Sequence, residues 1–563
     1  MNAERLLAHY EQIADAPDAI ARLRRFILDL AVRGKLVPQD ANDEPASELL
    51  KRIAKEKARL SIKSQPVPLK SDEAPFELPI GWSWSRIGEI CSKTGSGSTP
   101  RGGKEVYKPS GVPFLRSQNI YDDGLRLNDV AYIDQDTNER MSGTHVSPGD
   151  LLLNITGGSM GRCCLVPRDF TDANISQHVA IIRVTLRGIE AFLHRLVLSP
   201  YFQAFVFDEQ TGAGRGGLPK NRMDMIAVAL PPLAEQHRIV AKVDELMGLC
   251  DRLEAARAGR EETRDRLAAA SLARLNAPDP ETFQDDARFA LDALPTLTTR
   301  LDQIKRLRQT ILNLAVRGKL VPQDAKDEPA TDVDLKIKNR SRGQIQESIE
   351  PPFGLPIGWA WRAIDTLADQ VTDGEHATPP RISETQVPLV TAKNVREGFM
   401  DYLQTDWVSF ETAKKAWGRC RPQVGDLLLV CVGATTGRLT VLREPQDMVL
   451  VRSVALIRPN NDVLNEYLER AIRSPLVQHQ IWTSVKAAAQ PCLYINRIQS
   501  LLIPLPPLAE QNRIVAKVDA LMALCDQLEA SLTATAATRR RLLDALLAEA
   551  LAPVDVAEME AAE

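Results

Sequence analysis

The chain has 563 residues, 44% of them hydrophobic, and a formal net charge of −4, which is ordinary for a globular chain with room for three or four domains. No run of about 18 apolar residues occurs, and the first residues lack the basic-then-apolar order of a secretory leader, so neither a membrane span nor export is expected. The four last carboxylates (Asp555, Glu558, Glu560, Glu563) match the whole net charge, and nothing in that balance points to nucleic acid.

Residues 1–36 read as helix, with Ile20, Leu23, Ile27 and Leu30 at three-and-four spacing and Gly34 as the stop. Residues 43–60 offer a second helix that starts near Asp43 and Pro45, and a linker containing Pro and Lys follows to about residue 75. From 76 to 230 the character changes to short β-rich runs broken by Gly, Pro and Asn. They open with Leu78-Pro-Ile-Gly-Trp-Ser-Trp84, whose two tryptophans read as core packing. Val112-Pro-Phe-Leu115, Gly149-Asp-Leu-Leu-Leu153, a Gly-x-x-x-Gly-Arg turn from Gly157 to Arg162, Val179-Ala-Ile-Ile-Arg183 and Ser199-Pro200 follow. The stretch Pro231-Pro-Leu-Ala-Glu-Gln-His-Arg-Ile-Val-Ala-Lys-Val-Asp244 then opens a long helix. Its two prolines end an extended segment and good helix formers come after them. Ile239, Val243, Leu246, Cys250 and Leu253 recur at heptad spacing, a narrow seam built to meet another helix lengthwise, with charged residues such as Asp251, Arg252 and Glu254 outward.

The chain then repeats itself. Leu28-Asp-Leu-Ala-Val-Arg-Gly-Lys-Leu-Val-Pro-Gln-Asp40 returns as Leu312-Asn-Leu-Ala-Val-Arg-Gly-Lys-Leu-Val-Pro-Gln-Asp324. Leu355-Pro-Ile-Gly-Trp-Ala-Trp361, Val387-Pro-Leu-Val390, Gly425-Asp-Leu-Leu-Leu429, the turn Gly433 to Arg438, Val454-Ala-Leu-Ile-Arg458 and Ser474-Pro475 repeat the earlier runs in order. Pro506-Pro-Leu-Ala-Glu-Gln-Asn-Arg-Ile-Val-Ala-Lys-Val-Asp519 repeats the long-helix opening with one substitution in fourteen positions, and its seam is Ile514, Val518, Leu521, Cys525 and Leu528. The whole chain is a tandem duplication. Its expected class is α+β: two α/β domains separated by a long antiparallel helical (coiled-coil) pair, with an internal pseudo-twofold repeat. The segments are a helical start and linker (1–75), a first module (76–230), a central helical region and linker (231–352), a second module (353–505) and a final helical region (506–563). The arrangement is cyclic, so helix 18–34 is expected to pack on helix 507–550 as 302–318 packs on 233–275.

A search for chemistry returns nothing. Ser98-Thr-Pro-Arg-Gly-Gly-Lys104 fails as a phosphate loop, because Ser98 stands where the first Gly is required and Glu105 where Ser or Thr would bind the metal. No Asn/Asp-Pro-Pro-aromatic segment for amino-methyl transfer and no His/Glu metal pair at helical spacing is present. Eight cysteines sit at no metal spacing, Cys163 and Cys164 being adjacent, which fits a reduced, cytoplasmic protein.

The ordered motifs resemble those of the specificity subunits of type I restriction–modification systems. The carriers are the Pro-Pro-Leu-x-Glu-Gln-x-Arg-Ile openings at 231 and 506, the Ala-Val-Arg-Gly-Lys-Leu-Val-Pro-Gln segments at 31 and 315, the Leu-Pro-x-Gly-Trp-x-Trp openings at 78 and 355, and Gly-Asp-Leu-Leu at 149 and 425. The resemblance implies two target-recognition domains, each reading half of a split site in double-stranded DNA. It implies long helices that hold them apart and dock two methyltransferase subunits, with restriction/translocase subunits completing the assembly. The chain itself would be non-catalytic and without cofactor, S-adenosylmethionine belonging to the methyltransferase and ATP and Mg to the restriction partner. Helices of about 36 to 40 residues are roughly 55–60 Å long, enough to separate two reading heads by a turn of duplex, about 34 Å.

The duplication supplies an internal comparison for the readers. Positions alike in both modules are framework or phosphate contacts; polar positions that differ are candidates for base readout, because two half-sites generally differ. Arg116, Ser117 and Gln118 face Thr391, Ala392 and Lys393, while Asn119 and Asn394 agree. Gln177 and His178 face Arg452 and Ser453; Arg215 faces Gln490, and Lys220 faces Ile495, beside the shared Asn221-Arg222 and Asn496-Arg497. Basic residues of the turns and Gly-containing loops join the set: Arg101, Lys104, Arg162, Arg438 and Lys486. Arg and Lys suit guanine, Asn and Gln adenine; each is otherwise a solvated loop residue, and His178 reads as structural. Both modules are close to neutral, so counterion release is small and the chain alone is expected to bind DNA weakly. That neutrality modestly favours another reading, a scaffold whose two modules bind proteins or glycans. The absent methyl-transfer motifs argue against a fused single-chain enzyme.

Overall fold

The computed structural model describes residues 15–16, 18–62, 69, 73–100, 102, 106–208, 217–276, 282, 285–286, 288–290, 293, 298–330, 352–485 and 491–551. The chain divides into two compact units, residues 1–260 with 536–563 and residues 261–535.

In the first unit, α1 (Ala19–Val32) buries two faces. Ile27, Leu28, Ala31 and Val32 share a core with Ile239, Val243 and Cys250 of the long helix α6 (Leu233–Asn276). Phe26 and Leu30 meet Leu543, Leu546 and Leu547 near the end of the second long helix, α12 (Leu508–Leu551). Arg24 adds bonds to Asp251 (2.6 Å) and Glu254 (2.7 Å), Arg22 pairs with Asp544, and Lys35 donates to the Leu551 carbonyl at 3.0 Å. The N-terminal helix therefore packs on the C-terminal one, as the cyclic repeat requires. In each unit the heptad seam meets the short helix of that unit: Ile514, Val518 and Cys525 are buried with Ile304, Ile311 and Ala315 of α7 (Leu301–Val316), and Leu521 and Leu528 pack beside them. Leu246 is half-buried, but Leu253 is 38% exposed, so the first seam ends a turn earlier than its spacing suggests. Both long helices run 44 residues, about 66 Å at 1.5 Å per residue, longer than the sequence implied.

Between α1 and α6 lie α2 (Ala46–Arg59) and the first module. Its strands are β1 (Ser83–Arg86), β2 (Cys91–Ser96), β3 (Val112–Leu115), β4 (Ala131–Ile133), β5 (Leu151–Asn154), β6 (Cys163–Leu165), β7 (Asn174–Ile175), β8 (Val179–Val184) and β9 (Ala227–Leu230). An antiparallel four-stranded sheet runs in the order β2-β8-β5-β6, with smaller sheets β4-β3-β7 and β1-β9. Alternate side chains of the central sheet feed two cores. Leu151, Leu153, Ala180 and Ile182 pack with Leu193, Val197 and Phe202 of helices α3 (Glu190–Leu198) and α4 (Pro200–Asp208), while Leu152 and Ile181 pack with Leu115 and Ile175 of the smaller sheet. A short helix, α5 (Lys220–Met225), precedes β9. The second unit repeats this plan with β10 (Ala360–Ala363), β11 (Ala368–Asp373), β12 (Val387–Val390), β13 (Asp406–Val408), β14 (Leu427–Val430), β15 (Leu439–Val441), β16 (Val449–Leu450), β17 (Val454–Pro459) and β18 (Leu502–Leu505), in sheets β11-β17-β14-β15, β13-β12-β16 and β10-β18. Its helices are α8 (Phe410–Trp417), α9 (Asn465–Arg473), α10 (Pro475–Ser484) and α11 (Ile495–Gln499).

One junction recurs in both units. The Glu235 carboxylate, 1% exposed, accepts from the Trp82 indole at 3.0 Å and from Gln39 at 3.1 Å; Glu510 accepts from Trp359 at 3.0 Å and Gln323 at 3.2 Å. Arg238 and Arg513 bond Asp43 and Asp327 alongside, each at 2.6 Å. Gly34 and Gly318, at φ of 67° and 66°, leave room for the prolines of the two openings: a Cβ there would sit 2.3 Å from Pro79 and 2.5 Å from Pro356. Trp82, Trp359 and Trp361 are buried, and Trp84 stacks edge-on to Phe76 at 4.8 Å, as core residues.

Burial pushes the Glu235 and Glu510 carboxyls up, against the smaller opposing effect of their hydrogen bonds. Their contribution to stability is fully present below the ordinary glutamate value of 4.5 and is lost as pH rises through the raised value. The double variant Glu235→Gln/Glu510→Gln removes this component, so its stability relative to the parent rises with pH through the mildly acidic range, read from denaturation midpoints at a series of pH values. Removing the Phe26 ring costs about 3 kcal/mol, and deleting residues 1–36 costs more because it uncovers both α6 and the end of α12; urea unfolding measures both.

Candidate nucleic-acid interface

Strand register collects the candidate readers at one end of each module. Ala180 pairs with Ser96, Val179 with Asn154, and Leu153 with Cys163, so residues 96, 154, 163 and 179 share one edge of the first central sheet. The connections leaving that edge are tied together through the backbone. Gly97 N donates to the Val179 carbonyl (2.9 Å), Ser176 N to Leu115 (2.9 Å), Ile155 N to His178 (3.0 Å) and Leu218 N to Ile155 (3.0 Å). Asn154 Nδ2 donates to the Ser117 carbonyl at 2.9 Å. Turn 116–119, loop 155–162, turn 176–178 and the start of α5 thus form one rim.

The second module repeats the network. Gly374 N donates to Val454 (3.3 Å), Val451 N to Val390 (3.2 Å), Cys431 N to Ser453 (2.8 Å) and Leu493 N to Cys431 (2.8 Å). Gly97 and Gly374 occupy the same crossing: a Cβ would fall 2.1 Å from the Ile175 and Leu450 carbonyl oxygens respectively, so only glycine lets the two backbones pass.

The individual candidates sort into three groups. Gln118, Arg162, Gln177, Lys220, Asn221 and Arg222 are exposed on the first rim, and Lys393, Arg452, Asn496 and Arg497 on the second. Several are held in place there. Gln118 donates to Asp129 (2.7 Å), Lys220 to Asp224 (2.5 Å) and Lys393 to Asp406 (3.2 Å), and the Arg162 guanidinium lies 4.7 Å over the Tyr121 ring. Exposed ion pairs of this kind are worth roughly 0–1 kcal/mol, so exchange for a phosphate or base edge meets little resistance. Arg116, Ser117 and Arg438 are half-buried; Arg116 donates to the Asp129 carbonyl at 3.2 Å. Arg101, Lys104, Arg215, Lys486 and Gln490 lie outside the described residues.

Asn119 and Asn394 are corrected. Both are 1% exposed. Asn119 accepts from Arg116 N (3.0 Å) and donates to the Arg126 carbonyl (2.9 Å); Asn394 accepts from Thr391 N (2.9 Å) and donates to the Asp401 carbonyl (3.0 Å). Their amides staple the turn that carries the candidate readers and face no solvent. Identity between copies marked framework here. His178 is exposed, its Nδ1 2.7 Å from the Thr156 hydroxyl.

The sequence reading missed a groove of about 790 Å³ on the second rim, whose lining includes Asp373, His376, Arg419, Arg452, Tyr494 and Asn496. Arg419 donates to Asp373 at 2.7 Å and lies 3.0 Å from His376, and Tyr494 is 60% exposed. Tyr494 stands in register with Pro219, an unlike pair that the internal comparison would have flagged had it included aromatic residues. Among the described residues no group of three or more His, Cys, Asp or Glu is placed to hold a metal ion, and none of the eight cysteines is in a disulfide. Burial pushes the Cys164, Cys420 and Cys431 thiols up to about 12, and His194, bonded to the Cys163 carbonyl at 2.9 Å, down to about 4. They are neutral packing groups.

Asn119→Ala or Asn394→Ala leaves buried backbone groups without partners and costs about 1–3 kcal/mol, whereas Gln118→Ala or Lys393→Ala stays within about 0.5 kcal/mol. Urea denaturation of the four variants separates turn staple from exposed reader.

The sequence profile of the family described as type I restriction modification DNA specificity domain matches residues 79–258 and 398–536. The EcoEI specificity subunit of a type I restriction enzyme from Escherichia coli is 29% identical over 94% of both chains, and the EcoAI specificity subunit, also from Escherichia coli, is 28% identical over 94% of this chain and 93% of that one. A chain solved in work on complex assembly and conformational transition of the type I R-M system shares the fold, with a TM-score of 0.51 and 21% identity over 85% of this chain and 99% of that chain. With a rim of unlike polar side chains on two matching frames, and profile matches falling in both modules, the chain belongs to the type I restriction–modification DNA specificity subunits.

Proposed function

We propose that this chain is the non-catalytic, cytoplasmic specificity subunit of a type I restriction–modification complex, and that each module reads one half of a bipartite site in double-stranded DNA with the rim described above. One observation carries the reading. The two rims share their backbone hydrogen bonds, their crossing glycine and their stapled turn, yet present unlike polar groups: Gln118 against Lys393, Gln177 against Arg452, Lys220 against Ile495. A common frame with different donors and acceptors is what two different half-sites need. The groove beside Arg419, Arg452 and Tyr494 offers the second module guanidinium donors and an aromatic edge for guanine or phosphate.

Helices of about 66 Å are stiff over their packed length and fix the separation of the half-sites. Near-neutral modules contribute little non-specific affinity, so two methyltransferase subunits complete the grip on the duplex and bring the restriction/translocase subunits. S-adenosylmethionine belongs to the methyltransferase, ATP and Mg to the restriction subunit. No step of the chemistry is assigned to this chain: its rim holds and orients the duplex, and bond making falls to its partners.

Replacing residues 76–230 with the matching module of a relative of different specificity, and co-producing the chimera with the methyltransferase, should change one half of the methylated site while the other half and the spacing stay as they were. Mapping methylated adenines in the host DNA reads the result; an unchanged site, or a change in both halves, would refute the assignment.

A further inference from the structure

The groove on the second rim contains a guanidinium that is held along one edge and open along another. Arg419 Nη2 donates to Asp373 Oδ1 at 2.7 Å and lies 3.0 Å from His376 Nε2, while Nε donates to the Asp373 carbonyl at 3.3 Å. Asp373 is the last residue of β11 and pairs with Ala455 of β17, so strand register fixes where its carboxylate leaves the backbone. That carboxylate is largely buried, whereas the Arg419 side chain is half-exposed. Among the described residues nothing accepts from Nη1, and both of its hydrogens stay unused. Arg452, which lines the same groove, makes no side-chain bond to any described residue and can turn.

An arginine clamped in this way differs from a mobile one in two respects. Its rotamer is settled before a ligand arrives, so a planar pair of acceptors is met with little further ordering. Its charge is also balanced by the carboxylate behind it, which weakens the attraction to phosphate but keeps the directional N–H bonds. Both respects favour a base edge over the backbone. In the major groove guanine alone presents two adjacent acceptors, O6 and N7; adenine sets a donor beside its N7, thymine a methyl near its O4, and cytosine a donor.

The first module lacks the device. Ser96 holds the register place of Asp373, since Ala180 pairs with Ser96 as Ala455 pairs with Asp373. Arg183 and Arg458 bond the carbonyls of His145 and Arg421, and two residues before these stand Gly143 and Arg419. Serine and glycine offer no guanidinium there.

We propose, on the basis of the specificity-subunit reading, that Arg419 reads a guanine in the half-site of the second module and that Asp373 is its positioning residue. The Nη1 hydrogens and the Nη2 hydrogen now shared with His376 supply the pair of donors, and Asp373 keeps its grip throughout. The first module makes no equivalent contact, so the two half-sites differ at this register position.

The full chain is co-produced with its methyltransferase in a host without other adenine methylation, and methylated adenines are mapped across the genome. The second module's half-site is the one that stays when residues 76–230 are exchanged, and it contains a G·C pair at a fixed position. Arg419→Ala relaxes that pair alone, with discrimination against other pairs down on the order of 10- to 100-fold. The other half-site and the spacing are kept. Asp373→Ala relaxes the same pair by a smaller factor, which a merely structural contact would not do, and unchanged melting shows both variants folded. Methylation that falls uniformly with the consensus kept makes Arg419 a phosphate contact and overturns the guanine assignment. So does an unchanged consensus at parental methylation, or a second half-site without a G·C pair; the specificity-subunit reading survives all three. A parent that methylates no bipartite site overturns both.

Discussion

A buried glutamate in each unit holds together three stretches that are far apart in the chain. Glu235 takes one hydrogen bond from Gln39, in the loop after the first helix, and one from Trp82, at the opening of the first module, while itself belonging to the first turn of the long helix. Glu510 does the same with Gln323 and Trp359. Removing one donor strands a carboxylate away from water, at a cost of a few kcal/mol. The three motifs are therefore constrained jointly, which is why they recur together after the duplication while the loops between them have drifted. Helix, module and rod of each unit meet at this contact.

The rim proposed to read DNA depends on that frame without being specified by it. Strand register and the crossing at Gly97 and Gly374 decide where the turns emerge, and the side chains on those turns are free to change because they carry little of the fold. Asn154 has Val430 as its counterpart, so the side-chain bond from that position to turn 116–119 is not repeated in the second module. Tolerance of this kind fits a protein whose selectivity has to diverge while its assembly does not.

Much of this was legible beforehand. Heptad spacing located the buried faces of both long helices, and the repeat anticipated that the first helix would pack on the last. Periodicity shows that a face will be covered, but not by what, so the short helices that fill the seams could not be named from it. Nor does spacing say where a covering partner stops, which is why Leu253 was placed in a seam it does not join. Asn119 and Asn394, alike in both copies, stood between framework and phosphate contact because an asparagine that staples a turn and one that faces DNA have the same loop context; only burial separates them. Tyr494 escaped because its exposure depends on how α11 is presented at the edge of a groove.

The closing of the first unit by Leu543, Leu546 and Leu547 has a consequence for synthesis. Helix α1 leaves the ribosome about 500 residues before the side chains that cover Phe26 and Leu30 do. At 5–20 residues per second this leaves an apolar flank uncovered for on the order of a minute. The second unit is drawn from one continuous stretch, residues 261–535, and completes itself first although it is begun later. The first unit therefore closes after the second one, and Phe26 and Leu30 need shelter until Leu543, Leu546 and Leu547 have been made.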